Sequence, residues 1–213
     1  MRKLALLFAL ACAPAAWAQY TEVWFSGGET FYRNTGLGSF AVLGGSPNDI
    51  KLDSSGFRFG FRMNINTDSL LGYEVLYQYS RAQLVSTVPD LSSATAPNVT
   101  VKQGMAAHTY GGAALLHMNH EGNRVRPFAA GGVQAVNFVP PGASIYSGGN
   151  DTKFGFNYGG GVKFRLTDLI GLRFDARQYT VPKPFQSTRF GIANPAHGWI
   201  RLNELSVGIG IMF

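Results

Sequence analysis

Charged side chains alternate with apolar ones in several stretches, and ion pairing between guanidinium and carboxylate groups is the chemistry they offer. In GFRFGFRMNI, residues 56–65, Arg58 and Arg62 occupy the positions between phenylalanines. The charged candidates that share the non-apolar parity of their segments are Glu22, Arg58, Arg62, Glu74, Lys163, Arg165, Arg173, Asp175, Arg177 and Glu204. Because a buried charge is tolerated only when it is paired and hydrogen-bonded, these residues predict one internal ion network.

Catalytic and metal chemistry have weaker support. The four histidines, His108, His117, His120 and His197, lack the spacing of metal ligands. Gly159–Gly161 lies inside an alternating segment with no helix after it, which excludes a phosphate-binding loop. We therefore predict no catalytic, metal or cofactor-binding residues and no enzyme activity.

The elements that position the charges are strands, because successive side chains of a strand point to opposite faces. Clear alternation covers residues 56–65, 71–79, 154–166, 170–176 and 205–213, a weaker alternation covers 20–26, and two segments of less clear parity cover 105–118 and 127–139. Short polar turns, at 66–69, 120–123 and 167–168, alternate with long loops at about 27–55, 81–102, 140–152 and 180–198. Eight strands with this alternation of connections predict an all-β, antiparallel, up-and-down transmembrane β-barrel with short periplasmic turns and long extracellular loops.

The N-terminus has the features of an export signal. Arg2 and Lys3 precede an apolar run, and Ala16-Trp17-Ala18 is a small-x-small cleavage site. We predict a signal peptide over 1–18, cleaved after Ala18, and one barrel domain over 19–213. Cys12, the single cysteine, would leave with the signal; a lipoprotein attached through it is the alternative.

The free-energy cost of placing a charged side chain in lipid decides which face of the strands contacts the bilayer. An arginine or lysine on the lipid face costs about 2–4 kcal/mol at the bilayer midplane, and several would consume much of a net stability of about 5–15 kcal/mol. The charges must therefore face the lumen, where the many glycines of the same parity leave room for them. The side chains predicted to face lipid are Phe57, Phe59, Phe61, Val75, Phe154, Phe156, Phe164, Leu172, Phe174, Val207, Ile209 and Ile211.

The turn at 66–69 suggests a register for the strands that flank it. If paired residue numbers sum to 136, Arg62 lies opposite Glu74, Arg58 opposite Gln78 and Phe61 opposite Val75. A slip by one residue would move a whole strand to the wrong face, so the parity match excludes it.

The chain resembles the small eight-stranded outer-membrane barrels, the group of OmpA-like transmembrane domains and outer membrane protein β-barrel domains. The likeness rests on the cleavage site, on RPFAAGGV (126–133), on KFGFNYGGGVKFRL (153–166) before a tight turn, and on the terminal LSVGIGIMF (205–213). It implies that Phe213 is the assembly signal read by the barrel assembly machinery. The group hosts adhesins, resistance factors, structural anchors and enzymes, so the resemblance is informative for fold rather than for role.

An eight-stranded barrel is just wide enough for side chains to fill its interior, so we predict a plugged lumen without a diffusion pore. The expected role is structural, or surface interaction through the four long loops with an extracellular partner. The expected partners are outer-membrane lipid and, during biogenesis, the assembly machinery and periplasmic chaperones. The mild excess of basic residues, without a basic run, excludes nucleic acid.

Besides a soluble, ligand-carrying barrel, which is the most remote alternative, two other functions stay open on the sequence alone. One is a narrow, porin-like channel for small solutes. The other is a lipid-modifying enzyme, although Trp199 stands where that class has a serine two residues after a histidine such as His197.

Overall fold

Every regular element in the described part of the chain is a β-strand. The computed structural model describes residues 20–40, 48–67, 70–88, 99–141, 149–186, 192 and 194–213. The strands are β1 (Tyr20–Arg33), β2 (Gly36–Phe40), β3 (Asn48–Leu52), β4 (Ser55–Asn66), β5 (Leu71–Val88), β6 (Val99–His117), β7 (Val125–Val139), β8 (Asp151–Arg165), β9 (Ile170–Pro182), β10 (Asn194–Pro195) and β11 (Trp199–Met212). Among these residues there is no helix with the length and apolarity to cross a membrane. The predicted cleavage at Ala18 lies outside the described residues.

Eight of the strands close into an antiparallel barrel. The ring runs β1, β4, β5, β6, β7, β8, β9, β11 and returns to β1, where Trp24 is the partner of Gly210. Closure leaves no unpaired sheet edge in the wall, which a β-structure in hydrocarbon requires. The predicted fold class is confirmed.

The connections differ in length at the two ends of the barrel. Residues 67–70, 118–124 and 166–169 make short links at one end, here called the short-turn end. Both ends of the barrel chain meet there, since the Phe213 N–H donates to the Thr21 carbonyl over 2.8 Å. The opposite, loop end holds the longer connections.

The wall extends at the loop end into a collar, formed by β2, β3, β10 and the residues of β5 beyond Ser80. β4 stops pairing with β5 at Arg58–Ser80, and β3 takes its place with the pair Ile50–Ser86. β2 pairs with β3, and β10 pairs with β2. The predicted loops at 27–55 and 81–102 were therefore drawn too long, because much of their sequence continues the strands.

The register between β4 and β5 differs by two residues from the predicted one. Arg58 pairs with Ser80, Arg62 with Leu76 and Phe61 with Tyr77, so the residue numbers sum to 138 rather than 136. The ladder ends at Asn66–Gly72, two residues further along β5 than the predicted register would place the partner of Asn66. A shift by two keeps every side chain on its face, because side chains alternate with a period of two.

The two faces of the wall separate aromatic from charged residues. Phe57, Phe59 and Phe61 are 64%, 48% and 37% exposed on the outer face, whereas Arg58 and Arg62 between them are 1% and 0% exposed. The other side chains predicted to face lipid also lie on the outer face, where Phe164 and Leu172 are half-buried and the rest are exposed. Rings of neighbouring strands meet there, for example Phe164 and Phe174 with centroids 5.9 Å apart.

Candidate functional site in the barrel interior

Seven charged residues meet in the middle of the barrel and form a central network: Arg58, Arg62, Glu74, Arg173, Asp175, Arg177 and Glu204. Alternation places them there, because each shares the inward parity of β4, β5, β9 or β11. Glu74 accepts hydrogen bonds from Arg173 Nη2 over 2.7 Å and from Arg177 Nη1 over 2.6 Å. One carboxylate on β5 therefore holds two guanidinium groups of β9, on the far side of the ring.

Arg62 joins carboxylates from three strands. Its Nη1 donates to Asp175 over 3.2 Å and its Nη2 to Glu204 over 2.5 Å, and its Nε lies 3.7 Å from Glu74. Asp175 also accepts two hydrogen bonds of 2.8 Å from Arg173. Arg62 thus cross-links β4 to β5, β9 and β11 through the interior.

Glu204 is the loop-side member of the network. Besides Arg62 it pairs with Arg58, and it accepts hydrogen bonds from the hydroxyls of Tyr179 (2.6 Å) and Ser206 (2.5 Å). Gln78 donates to the same carboxylate over 3.3 Å. Guanidinium–carboxylate hydrogen bonds of this kind are among the strongest in proteins.

The central network carries a surplus cation, with four guanidinium groups facing three carboxylates. All seven side chains are 2% exposed or less. Nη2 of Arg58 and Nη1 of Arg173 have no hydrogen-bond partner among the described residues. The positive charge is partly stabilised by an aromatic ring, because Arg173 lies 4.6 Å from the ring centroid of Phe128.

A second charged group lies nearer the short-turn end, around Glu22 and Lys163, which form an ion pair. Glu22 also accepts hydrogen bonds from Trp24 Nε1 (2.8 Å) and Asn66 Nδ2 (2.8 Å). Lys163 Nζ lies 3.3 Å from His117 Nε2. Sequence reasoning gave no role to His117, because the inward parity of β6 could not be assigned.

Trp24 and Phe128 separate the two charged groups. The indole of Trp24 fits against strand positions without side chains, since a Cβ at Gly210 would lie 2.4 Å from its ring and one at Gly171 2.7 Å. The cations of Lys163 and Arg173 lie 5.9 and 5.8 Å from the Trp24 ring. These inward glycines therefore serve to admit a large ring, which agrees with the crowding of glycine at the polar parity.

Arg165 departs from the predicted network. It lies at the last residue of β8, at the short-turn end, where its Nη2 donates to Glu121 over 2.9 Å. Its side chain is 23% exposed, and it makes no ion pair with the central network. Glu121 pairs as well with the buried Arg126, so a small ion cluster closes this rim. Sequence reasoning missed both residues, Glu121 because it lies in a turn and Arg126 because the parity of its strand was unclear.

The interior changes character toward the loop end, where an apolar layer replaces the charges. Its members are Tyr32, Leu37, Ile50, Leu52, Leu76, Ala82, Leu84, Met105, Ala107, Val136, Phe138, Tyr179, Val181, Phe185, Ile192, Ile200 and Leu202. All are 3% exposed or less. The sequence predicted an interior of paired charges and did not predict this layer, because many of its residues lie in stretches that were assigned to the long loops.

The outer side of the collar is polar and exposed to water. The Ser54 N–H donates to the Asp53 carboxylate over 2.7 Å, and Lys102 Nζ lies 3.5 Å from the same group. The hydrogen bond, with help from the lysine, holds the pKa of Asp53 below its usual value.

The arrangement is that of a cross-linked interior. Among the described residues there is no group of three or more potential metal ligands. His108 lies on the outer wall with its Nδ1 3.0 Å from the hydroxyl of Tyr77, and His197 is exposed at the loop end. The paired guanidinium and carboxylate groups hold the strands of the ring together across the lumen.

A closed eight-stranded ring with an aromatic and aliphatic outer face and ion pairs inside defines a transmembrane β-barrel of the outer-membrane type. The chain belongs to the outer membrane protein beta-barrel domain family, which matches residues 4–213. This membership places the protein in the outer membrane. No curated protein sequence matches the chain.

Solved structures of small outer-membrane barrels share the fold at low sequence identity. Neisserial surface protein A (NspA) is 14% identical, with a TM-score of 0.57 over 91% of this chain and 97% of that one. OprG from Pseudomonas aeruginosa is 11% identical, with a TM-score of 0.51 over 90% and 95%. A major outer membrane protein from Thermus thermophilus is 11% identical, with a TM-score of 0.50 over 92% and 100%.

Proposed function

We propose that the protein is a non-enzymatic outer-membrane barrel whose lumen is plugged by its own side chains, and that it acts through its loop-end surface as a structural or surface-interaction protein. The observation that carries this proposal is the filling of the interior by two successive layers. The central network spans the ring below, and the apolar layer spans it above.

Each layer opposes ion flow for a different physical reason. In the central network every guanidinium is tied to a carboxylate of another part of the ring, so a passing ion would have to replace ion pairs. In the apolar layer Phe138, Leu84 and Ile200 are 0–1% exposed. An ion there would lose its hydration without gaining hydrogen-bond partners.

The collar is the surface available for interaction. β5 has 18 residues, and at about 3.3 Å per residue and a tilt of about 45° a strand of that length rises about 40 Å, against an apolar band of about 25 Å. The collar therefore stands well clear of the lipid. The proposed occupant of this surface is an extracellular partner contacted by the long loops.

The proposed biogenesis follows the predicted signals. The leader 1–18 would direct export to the periplasm, where chaperones keep the chain unfolded, and the assembly machinery would recognise the terminal strand that ends in Phe213. Outer-membrane lipid is then the permanent partner of the outer face.

The plugged lumen is tested by conductance of the purified, refolded protein in planar bilayers, with an open porin as the positive control. We expect no steady ohmic current in wild type. A steady current that scales with salt concentration would overturn the plug and establish the narrow channel. Loss of a lipid-modification product in His197→Ala or His108→Ala cells would instead establish the enzyme.

A further inference from the structure

The outer face of the barrel carries a groove at the junction of β1, β11, β9 and β8. Its lower part is a hollow of about 570 Å³ lined by outward side chains such as Val162, Phe174 and Val207. Its upper part, of about 410 Å³, contains Arg33, Tyr158, Gln178 and Asn203 among its lining residues. Ala176 and Leu205 line both parts, so the two hollows join.

Small residues at neighbouring register positions create the groove. Leu205 pairs with Ala176, which pairs with Gly160, and beside them Gly27 pairs with Val207. The lower hollow is therefore bounded mostly by apolar atoms and lies among lipid-facing residues. An apolar concavity at this depth fits an acyl chain, because it buries hydrocarbon against hydrocarbon without polar groups to satisfy.

The upper end of the groove is cationic. Arg33 and Arg201 are direct cross-strand partners between β1 and β11, and both are exposed on the outer face. Neither guanidinium has a carboxylate partner within the described part of the chain. Like charges directly opposite one another destabilise a strand pair unless something neutralises them. Two guanidinium forks side by side match the oxygens of a phosphate.

The depth of the arginine pair agrees with a lipid headgroup. Trp199, two residues from Arg201 on β11, is 49% exposed and lies beside Phe156 with centroids 6.0 Å apart, as expected of a ring at the membrane–water interface. The outward acid on the same strand as Arg33 is Glu29, four residues deeper, which is about 13 Å at 3.3 Å per residue. A phosphate between the arginines is therefore out of reach of this carboxylate.

We propose that the groove binds a phosphate-bearing lipid of the outer leaflet, with an acyl chain along Gly160, Ala176 and Val207 and a phosphate between Arg33 and Arg201. Charge complementarity selects this occupant over a second copy of the chain, which would have to bring an acidic group to the same depth. The proposal requires the outer-membrane barrel and is independent of the plugged lumen.

The test is lipid binding by the refolded protein in phosphatidylcholine nanodiscs, with retained lipid counted by native mass spectrometry. Bisphosphorylated lipid A is the probe and dephosphorylated lipid A the matched lipid. Arg33→Gln/Arg201→Gln removes the cations, and Gly27→Leu fills the lower hollow, where a Cβ meets no atom closer than 4.0 Å. Arg81→Gln, an exposed arginine on β5, and Gly131→Leu, an outward glycine of β7 with open space around it, are the controls.

We expect wild type to bind the bisphosphorylated lipid more tightly than the dephosphorylated one. The arginine double variant should lose this preference, with an affinity for the phosphorylated lipid at least about tenfold lower. Gly27→Leu should weaken the binding of both lipids, and the control variants should bind them as tightly as wild type does. Heat-modifiable migration on a gel verifies that each variant is folded.

Three results would overturn the proposal. The first is equal binding of the two lipids by wild type. The second is an equal loss of affinity for the bisphosphorylated lipid in Arg81→Gln and in the arginine double variant. The third is a lipid-free dimer that Gly27→Leu dissociates, which would assign the groove to a second copy of the chain.

Discussion

Neutralising Glu204 should cost the barrel a large part of its stability. The carboxylate is 1% exposed and is the shared partner of Arg58 and Arg62. Glu204→Gln keeps the volume but leaves four guanidinium groups facing two carboxylates. Removing one partner of a buried ion pair typically costs about 3–5 kcal/mol, because the remaining charge is left uncompensated away from water. Against a typical total of about 5–15 kcal/mol, that loss is readily measured.

The assay is equilibrium urea unfolding in phospholipid vesicles, followed by the fluorescence of the two barrel tryptophans, Trp24 and Trp199. Arg58→Met is the matched variant, since it removes the surplus cation and leaves three guanidinium groups against three carboxylates. We expect it to cost less than Glu204→Gln, and we expect the double variant to lose less than the sum of the two single losses. A loss below about 1 kcal/mol for Glu204→Gln would mean that water reaches the network and screens it, and the proposal of a dry, plugged lumen would be refuted.

The arrangement of residues in the barrel wall and the collar leads to three further predictions. Val207→Arg, on the outer face near mid-membrane, should lower the free energy of unfolding by about 2–4 kcal/mol in the same assay. Ile211→Arg, on the same face near the short-turn end, should lower it by only about 0–1 kcal/mol. Equal losses would contradict the assigned depth of the two residues. Gly210→Ala should cost about 1–3 kcal/mol by overpacking, because its Cβ would lie 2.4 Å from the buried indole ring, while Gly131→Ala, with open space around it, should be near neutral. In cells, Gln83→Cys should react with a membrane-impermeant maleimide and Val207→Cys should not; labelling of both would disprove that the collar stands above the lipid.

The sequence alone was sufficient to predict the inward and outward parity of β4, β8 and β11, because that parity depends only on local alternation. It was insufficient for the register between β4 and β5. Register depends on turn geometry and on the stagger that closes the ring, and a shift by two residues leaves the pattern unchanged. It also missed Arg126, since small residues on both faces of β7 obscure which parity is polar.

The sequence did not predict the collar because the polarity of the two strand faces changes along the strand, as β5 illustrates. At Tyr73 and Val75 the outward residues are apolar, and the inward Glu74 and Gln78 are polar; past Ser80 the outward residues become Arg81 and Gln83, and the inward ones Ala82 and Leu84. The inward and outward directions of the side chains continue unchanged along the strand. Past Ser80, however, the apolar residues lie on the inner face and the polar residues on the outer face.

The exchange marks the membrane surface, because it is the change from a lipid-facing wall to a water-facing one. In lipid the polar groups must turn inward, while in water the apolar groups must. The same exchange occurs in β9, where inward Arg177 is followed by inward Val181, and in β11, where inward Ile200 and Leu202 precede inward Glu204. A scan that requires one face to stay apolar ends each strand at this point and assigns the remainder to a loop. A scan that permits one exchange per strand would recover the collar, and with it the depth of the bilayer, from sequence.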